Sequence, residues 1–234
     1  MQLKADLKLF FASIIFELLK KLKLYIIIFI FAIVHEAGHM LMAILLKYKI
    51  EKFEINIYGP KLKIKVNYDD YNKKIGKGSL ISLKKILIAL AGPATNMAIS
   101  FLIFIISICK IKFFNGRISE FWTNAFYANI IIFVFNMLPI YPLDGGRILQ
   151  EILHITVGLR KSYSIIQDIS FVSIAILTAV SSIIILYYKN IMILLVLLYL
   201  WYLALKCEKE FSLKEKIYDR VEKILKSEKS ELKK

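Results

Sequence analysis

Long uninterrupted apolar runs, more than any alternation, dominate the pattern of this chain. From Leu24 to Leu46 the sequence reads LYIIIFIFAIVHEAGHMLMAILL, 23 residues whose only ionisable side chains besides Tyr25 are His35, Glu36 and His39. As a helix rising 1.5 Å per residue, such a run crosses a hydrocarbon core of ~30 Å. Further runs cover Ile86–Cys109, Phe121–Leu138, Ile165–Tyr188 and Ile191–Leu205. An earlier segment, Leu7–Leu19, is shorter and carries Lys8 and Glu17. Its apolar residues recur every three or four positions, which suits either a short first span or an amphipathic helix at the interface. KKLK follows it where a cleaved signal would have small residues, so it does not read as a leader peptide. The pattern predicts an all-α polytopic membrane protein with about six transmembrane helices. One stretch differs. Residues 52–70, KFEINIYGPKLKIKVNYDD, alternate apolar and polar positions on either side of Gly59-Pro60, which predicts a small membrane-associated β-hairpin. Such a hairpin either covers the helices or offers an edge strand to an extended peptide.

With 58% hydrophobic residues in 234, the composition agrees with a membrane protein, and charge then orients it. The net charge is +15. If Leu24–Leu46 runs from outside to inside, eleven lysines between Lys47 and Lys85 and ten basic residues from Lys206 onward fall on the cytoplasmic side. The outer loops keep only Lys20, Lys21, Lys23, Lys110, Lys112, Arg117 and Lys189. This is the positive-inside distribution, so the charge reads as topology and affinity for the lipid bilayer, with no nucleic acid as partner. The C-terminus is then cytoplasmic. Cys109 and Cys207 fall near opposite faces and read as structural.

The ionisable groups inside the first long run carry the chemistry. A charge at mid-depth in a bilayer costs several kcal/mol unless it is bound. His35 and His39 are four residues apart, so on a helix both project from one face. With Glu36 they form H-E-x-x-H, in which two imidazoles hold zinc and the glutamate is the general base. Gly38, without Cβ, allows a close approach to this site. A catalytic zinc needs a third protein ligand. His154 reads as a packing residue. Asp144 is the better candidate, because Pro139, Pro142, Gly145 and Gly146 break the chain around it, and broken backbone at membrane depth lines a cavity or packs on protein. The same aspartate is also placed to cap the following helix.

HEAGH on a membrane helix, followed by N-x-x-P-x-x-x-x-D-G at residues 136–145, resembles the site-2 protease family of intramembrane zinc metalloproteases. The segment NMLPIYPLDGGRIL is similar to its sporulation branch, and AGPATN at 91–96 is similar to the family's glycine-proline motif. The resemblance runs over roughly residues 24 to 205, with residues 1–205 as the protease domain and its core at 24–160. It implies a Zn2+ ion, one per chain, held by His35, His39 and Asp144, with Glu36 as catalytic base. It further implies that Asn136 and Asn96 face the site and hold substrate or its oxyanion. The implied substrate is a membrane-associated protein cut near the cytoplasmic leaflet, in the sporulation branch a precursor sigma factor. Another membrane-tethered regulator, such as an anti-sigma factor, is the alternative, and inhibitory membrane proteins are partners of this kind of enzyme. The bacterial cell membrane is the implied location. Many relatives append a nucleotide-binding CBS domain, whereas Lys206–Lys234 is too short for one and reads as a basic cytoplasmic tail.

Two other classes fit the sequence less well. A metal transporter would line a path with polar groups on several spans, yet Ile165–Tyr188 and Ile191–Leu205 are almost free of charge. An inactive scaffold would have no need to keep Glu36.

Overall fold

The computed structural model describes residues 22–56, 59–65, 78–108, 120–188 and 191–231. The order of elements is α1 (Leu22–Leu45), β1 (Lys49–Asn56), β2 (Gly59–Lys65), α2 (Gly78–Ile108), α3 (Glu120–Asn136), α4 (Asp144–Val157), α5 (Leu159–Tyr188) and α6 (Ile191–Glu231). The chain forms two compact units, one extending to Leu138 and the other starting at Pro139. Helix dominates for a physical reason: in lipid every backbone N–H and C=O must be satisfied within its own segment.

Three helices are long and apolar enough to cross a membrane, over Lys23–Leu45, Leu80–Ile108 and Leu159–Tyr187. The expectation of about six spans is therefore met by three among the described residues. Helix α3 has 17 residues, or ~25 Å of rise, short of a full core crossing. It stops at Asn136 although the apolar run continues to Leu138, because Pro139 disfavours helical backbone just before it. Leu7–Leu19 and Cys109 lie outside the described residues. The basic tail is no separate element. Helix α6 runs unbroken from Ile191 to Glu231, carrying the apolar run directly into the charged segment.

In the first unit, α1, α2 and α3 meet around Ile27, Ile103, Ala125 and Ala128. The two alanines are almost fully buried, and their small side chains let α3 come close to its neighbours. The strands pair antiparallel from Lys49↔Lys65 to Asn56↔Gly59, with an irregularity between Ile50 and Lys52. Gly59 and Pro60, read from the sequence as the divide between the strands, begin β2; residues 57, 58 and 66–70 lie outside the described residues. Glycine and proline are tolerated at a strand's start, where a missing N–H costs least.

The second unit packs Ile166, Cys207 and Phe211 with Tyr141, Leu149, Leu153 and Tyr163. Cys207 is thus a core residue, in keeping with its structural reading. Trp201 donates its indole N–H to Thr178 Oγ1 at 3.2 Å, tying α6 to α5.

Candidate metal centre

His35 and His39 lie one turn apart on α1, and both are buried. Their Nε2 atoms face each other at 3.1 Å. Each ring is fixed from behind through Nδ1. His35 Nδ1 is 2.7 Å from Asn96 Oδ1, and His39 Nδ1 is 2.6 Å from the Ile88 carbonyl oxygen, both supplied by α2. A carbonyl oxygen only accepts, so the Ile88 contact requires the proton on His39 Nδ1. The Gly92 amide lies 3.3 Å from the same nitrogen, the longer and weaker of its two contacts. Pro93 removes one rung from the hydrogen-bond ladder of α2 beside this point, next to the carbonyl that orients the ring.

Two neutral imidazoles protonated at Nδ1 turn their Nε2 lone pairs toward one another. That arrangement is repulsive by itself and is relieved by a cation between the nitrogens. A separation near 3 Å suits two nitrogens each ~2.0–2.1 Å from one tetrahedral zinc. The opposing helix leaves room for it. A Cβ built on Gly92 would fall 2.3 Å from His39 Nε2 and 2.7 Å from His35 Nε2. Gly38 plays the corresponding part on α1, where a Cβ would strike Thr95 Oγ1 at 2.4 Å and the Ala91 carbonyl at 2.9 Å. Its close approach is to α2, as a residue without Cβ permits. The donor set and the space above it fit zinc. Glu36, half-buried, sits between the two histidines in sequence and on the same turn of α1.

In the second unit, Asp144 is the first residue of α4 and is buried. The capping position is Leu143, which makes no side-chain cap hydrogen bond, so Asp144 is not the cap that its place in the sequence allowed. Its negative charge in the first turn is favoured by the helix dipole. Arg147 approaches it at 3.7 Å but is half exposed, and such a pair contributes little. Backbone geometry does most of the holding. Leu143 N–H donates to the Ile140 carbonyl at 2.8 Å, and Tyr141 N–H donates to Ser170 Oγ at 3.0 Å. Ser170 in turn donates to the Ile166 carbonyl at 2.6 Å. A Cβ on Gly146 would lie 2.5 Å from the Ile140 carbonyl carbon, so only glycine lets this turn pack on the first turn of α4. His154, further along α4, sits 3.6 Å from Glu151, a contact within its own helix.

The two asparagines fare differently. Asn136 closes α3 and donates one amide hydrogen to the Ile132 carbonyl at 3.0 Å. Asn96 is fully buried, and its amide nitrogen has two acceptors, Asn129 Oδ1 at 2.8 Å and the Phe31 carbonyl at 3.5 Å. Both hydrogens have acceptors there, and Asn96 Oδ1 faces His35 Nδ1. Asn129, the fully buried partner on α3, went unnoticed in the sequence. An amide within the apolar stretch AFYANIIIFVF at bilayer depth was the available signal.

The chain matches peptidase family M50 over residues 23–116 and 105–180. It belongs to that family. It is 30% identical over 184 residues to a zinc metalloprotease of Methanocaldococcus jannaschii, covering 76% of this chain and 47% of that protein. To stage IV sporulation protein FB of Bacillus subtilis it is 22% identical over 142 residues, 61% of this chain and 44% of the relative. The chain thus spans about half the length of the curated relatives it matches. The solved structure of the site-2 protease from Methanocaldococcus jannaschii superposes with a TM-score of 0.57 at 28% identity, covering 85% of this chain and 83% of that one. Family and structure place this M50 chain among the site-2 proteases. The three long apolar helices agree with an integral membrane protein.

Proposed function

We propose that this M50 chain is an intramembrane zinc endopeptidase in which His35, His39 and Asp144 hold one zinc ion and Glu36 is the general base. The observation that carries the reading is the pair of imidazoles on α1, each fixed through Nδ1 so that both Nε2 atoms converge. Asp144 is the third donor by its chemistry: a buried carboxylate at a helix start, on a backbone break, within the motif shared with the family. Zinc, when bound, polarises a peptide carbonyl and makes water acidic near pH 7. Glu36 takes the proton from the attacking water and returns it to the leaving amine. Asn136 retains one amide hydrogen with which to donate to the developing oxyanion. The burial of His35 and His39 keeps bulk water from competing for their lone pairs.

The substrate reading is a membrane-associated protein of the bacterial cell, cut near the cytoplasmic leaflet, with the C-terminus of the protease on that side. It rests on the positive-inside charge distribution and on His39 lying seven residues before Leu46, ~10 Å of helix. The likeness to a sporulation protein favours a precursor sigma factor, with a membrane-tethered anti-sigma factor as the second reading.

The test is cleavage of candidate membrane-tethered regulators by the reconstituted chain and by Glu36→Gln. Removal of a general base lowers the rate about 10²–10⁴-fold while the ligand set stays intact. A Gln variant cutting near the wild-type rate would remove Glu36 from the mechanism. A new terminus mapped to the outer leaflet half would overturn the orientation.

A further inference from the structure

We propose that Asn129 is a positioning residue of the metal centre, which acts through Asn96 to hold His35 in the tautomer that presents Nε2 to the metal. This rests on the zinc-site reading above and adds to it a residue on α3, a helix that contributes no ligand. The direction of the hydrogen bonds is set at one end by the backbone. The Ala125 carbonyl can only accept, and the Asn129 amide nitrogen donates to it at 2.8 Å. That turns Asn129 Oδ1 toward Asn96, whose amide nitrogen donates to it at 2.8 Å. Asn96 Oδ1 is thereby turned toward His35, and the 2.7 Å contact is completed only by an N–H at Nδ1. Each amide passes on the donor-to-acceptor sense it receives. The proton on His35 is thus dictated by a carbonyl on α3, two side chains away.

Packing gives no reason for these amides. Both are fully buried between apolar helices, where an amide is costly unless hydrogen-bonded and an aliphatic side chain fills space without that cost. The second histidine is oriented directly by a backbone carbonyl, at Ile88. His35 has a side-chain relay in its place, and Asn129, at 2.8 Å against 3.5 Å for the Phe31 carbonyl, is the closer of the two acceptors that fix its direction. Groups that orient a ligating histidine typically govern metal affinity by 10–100-fold.

Zinc affinity of the purified full chain in detergent, measured by competition with a chelator, tests this without reference to cleavage. Asn129→Leu is expected to weaken zinc binding 10–100-fold. Asn129→Asp, isosteric and able to take a proton in this apolar site, is expected to bind within a few-fold of wild type. Asn96→Ala alone is expected to match the leucine variant. The double variant Asn96→Ala with Asn129→Leu is expected to lose nothing further, because the relay is already cut. Should the leucine variant not fold, Asn129→Ser, whose hydroxyl turns back to the Ala125 carbonyl, makes the same test with the same expected loss. Wild-type affinity in the leucine or serine variant, or losses at 96 and 129 that multiply, would overturn the relay while leaving the zinc site in place. Equal zinc binding by wild type and His35→Ala would instead overturn the zinc site and the relay with it.

Discussion

His35 is held by side chains, through Asn96 to Asn129 on a third helix, whereas Asp144 is held by backbone, on a turn seated over Gly146 and tied to Ser170. The first unit commits two fully buried amides and two close-contact glycines to fixing a pair of rings. The second commits one glycine and one serine to a turn, and builds the rest of its core from ordinary apolar and aromatic packing. The contrast follows from what each group needs. An imidazole has two distinct nitrogens, so it must be fixed in tautomer as well as in place. A carboxylate accepts through either oxygen, so placing its backbone is enough.

The contrast can be broken most sharply at Gly92. A methyl there lands on both imidazoles, so Gly92→Ala is expected to abolish stoichiometric zinc binding, measured by metal analysis of the purified protein. Full occupancy in that variant would mean that the rings do not lie against α2. Gly146→Ala addresses the backbone-held side. Overpacking of this kind costs typically 1–3 kcal/mol, and we expect a lowered unfolding midpoint together with weaker zinc binding, since the turn carrying Asp144 must shift. A drop in midpoint with unchanged zinc affinity would separate the turn from the site. Ser170→Ala is the mildest of the three. It leaves the Tyr141 amide without its hydroxyl acceptor, a loss of ~1 kcal/mol, and should move zinc affinity less than Gly146→Ala does.

Much of the site was legible in the sequence because its chemistry is local. H-E-x-x-H puts its groups on one helical face by spacing alone, and a carboxylate on a Pro- and Gly-broken segment marks itself against an apolar background. The two antiparallel strands follow the alternation, whereas Gly59 and Pro60, read as the divide between them, open β2. Three spans stand among the described residues where the runs predict about six, in part because an apolar run can be longer than the helix inside it; α3 ends before Pro139 while the run goes on. The contacts of Asn96 and Asn129 were not legible in the sequence for one reason. Their meaning lies in contacts between residues 35, 96 and 129, separations of 61 and 33 positions that no local pattern encodes.

The most direct measurement is the zinc content of the purified chain and of two single variants. One zinc per chain is expected in wild type, with loss of that zinc in Asp144→Ala and full retention in His154→Ala, whose imidazole is in contact with Glu151. Zinc retained at full occupancy without Asp144, or lost without His154, would contradict this expectation.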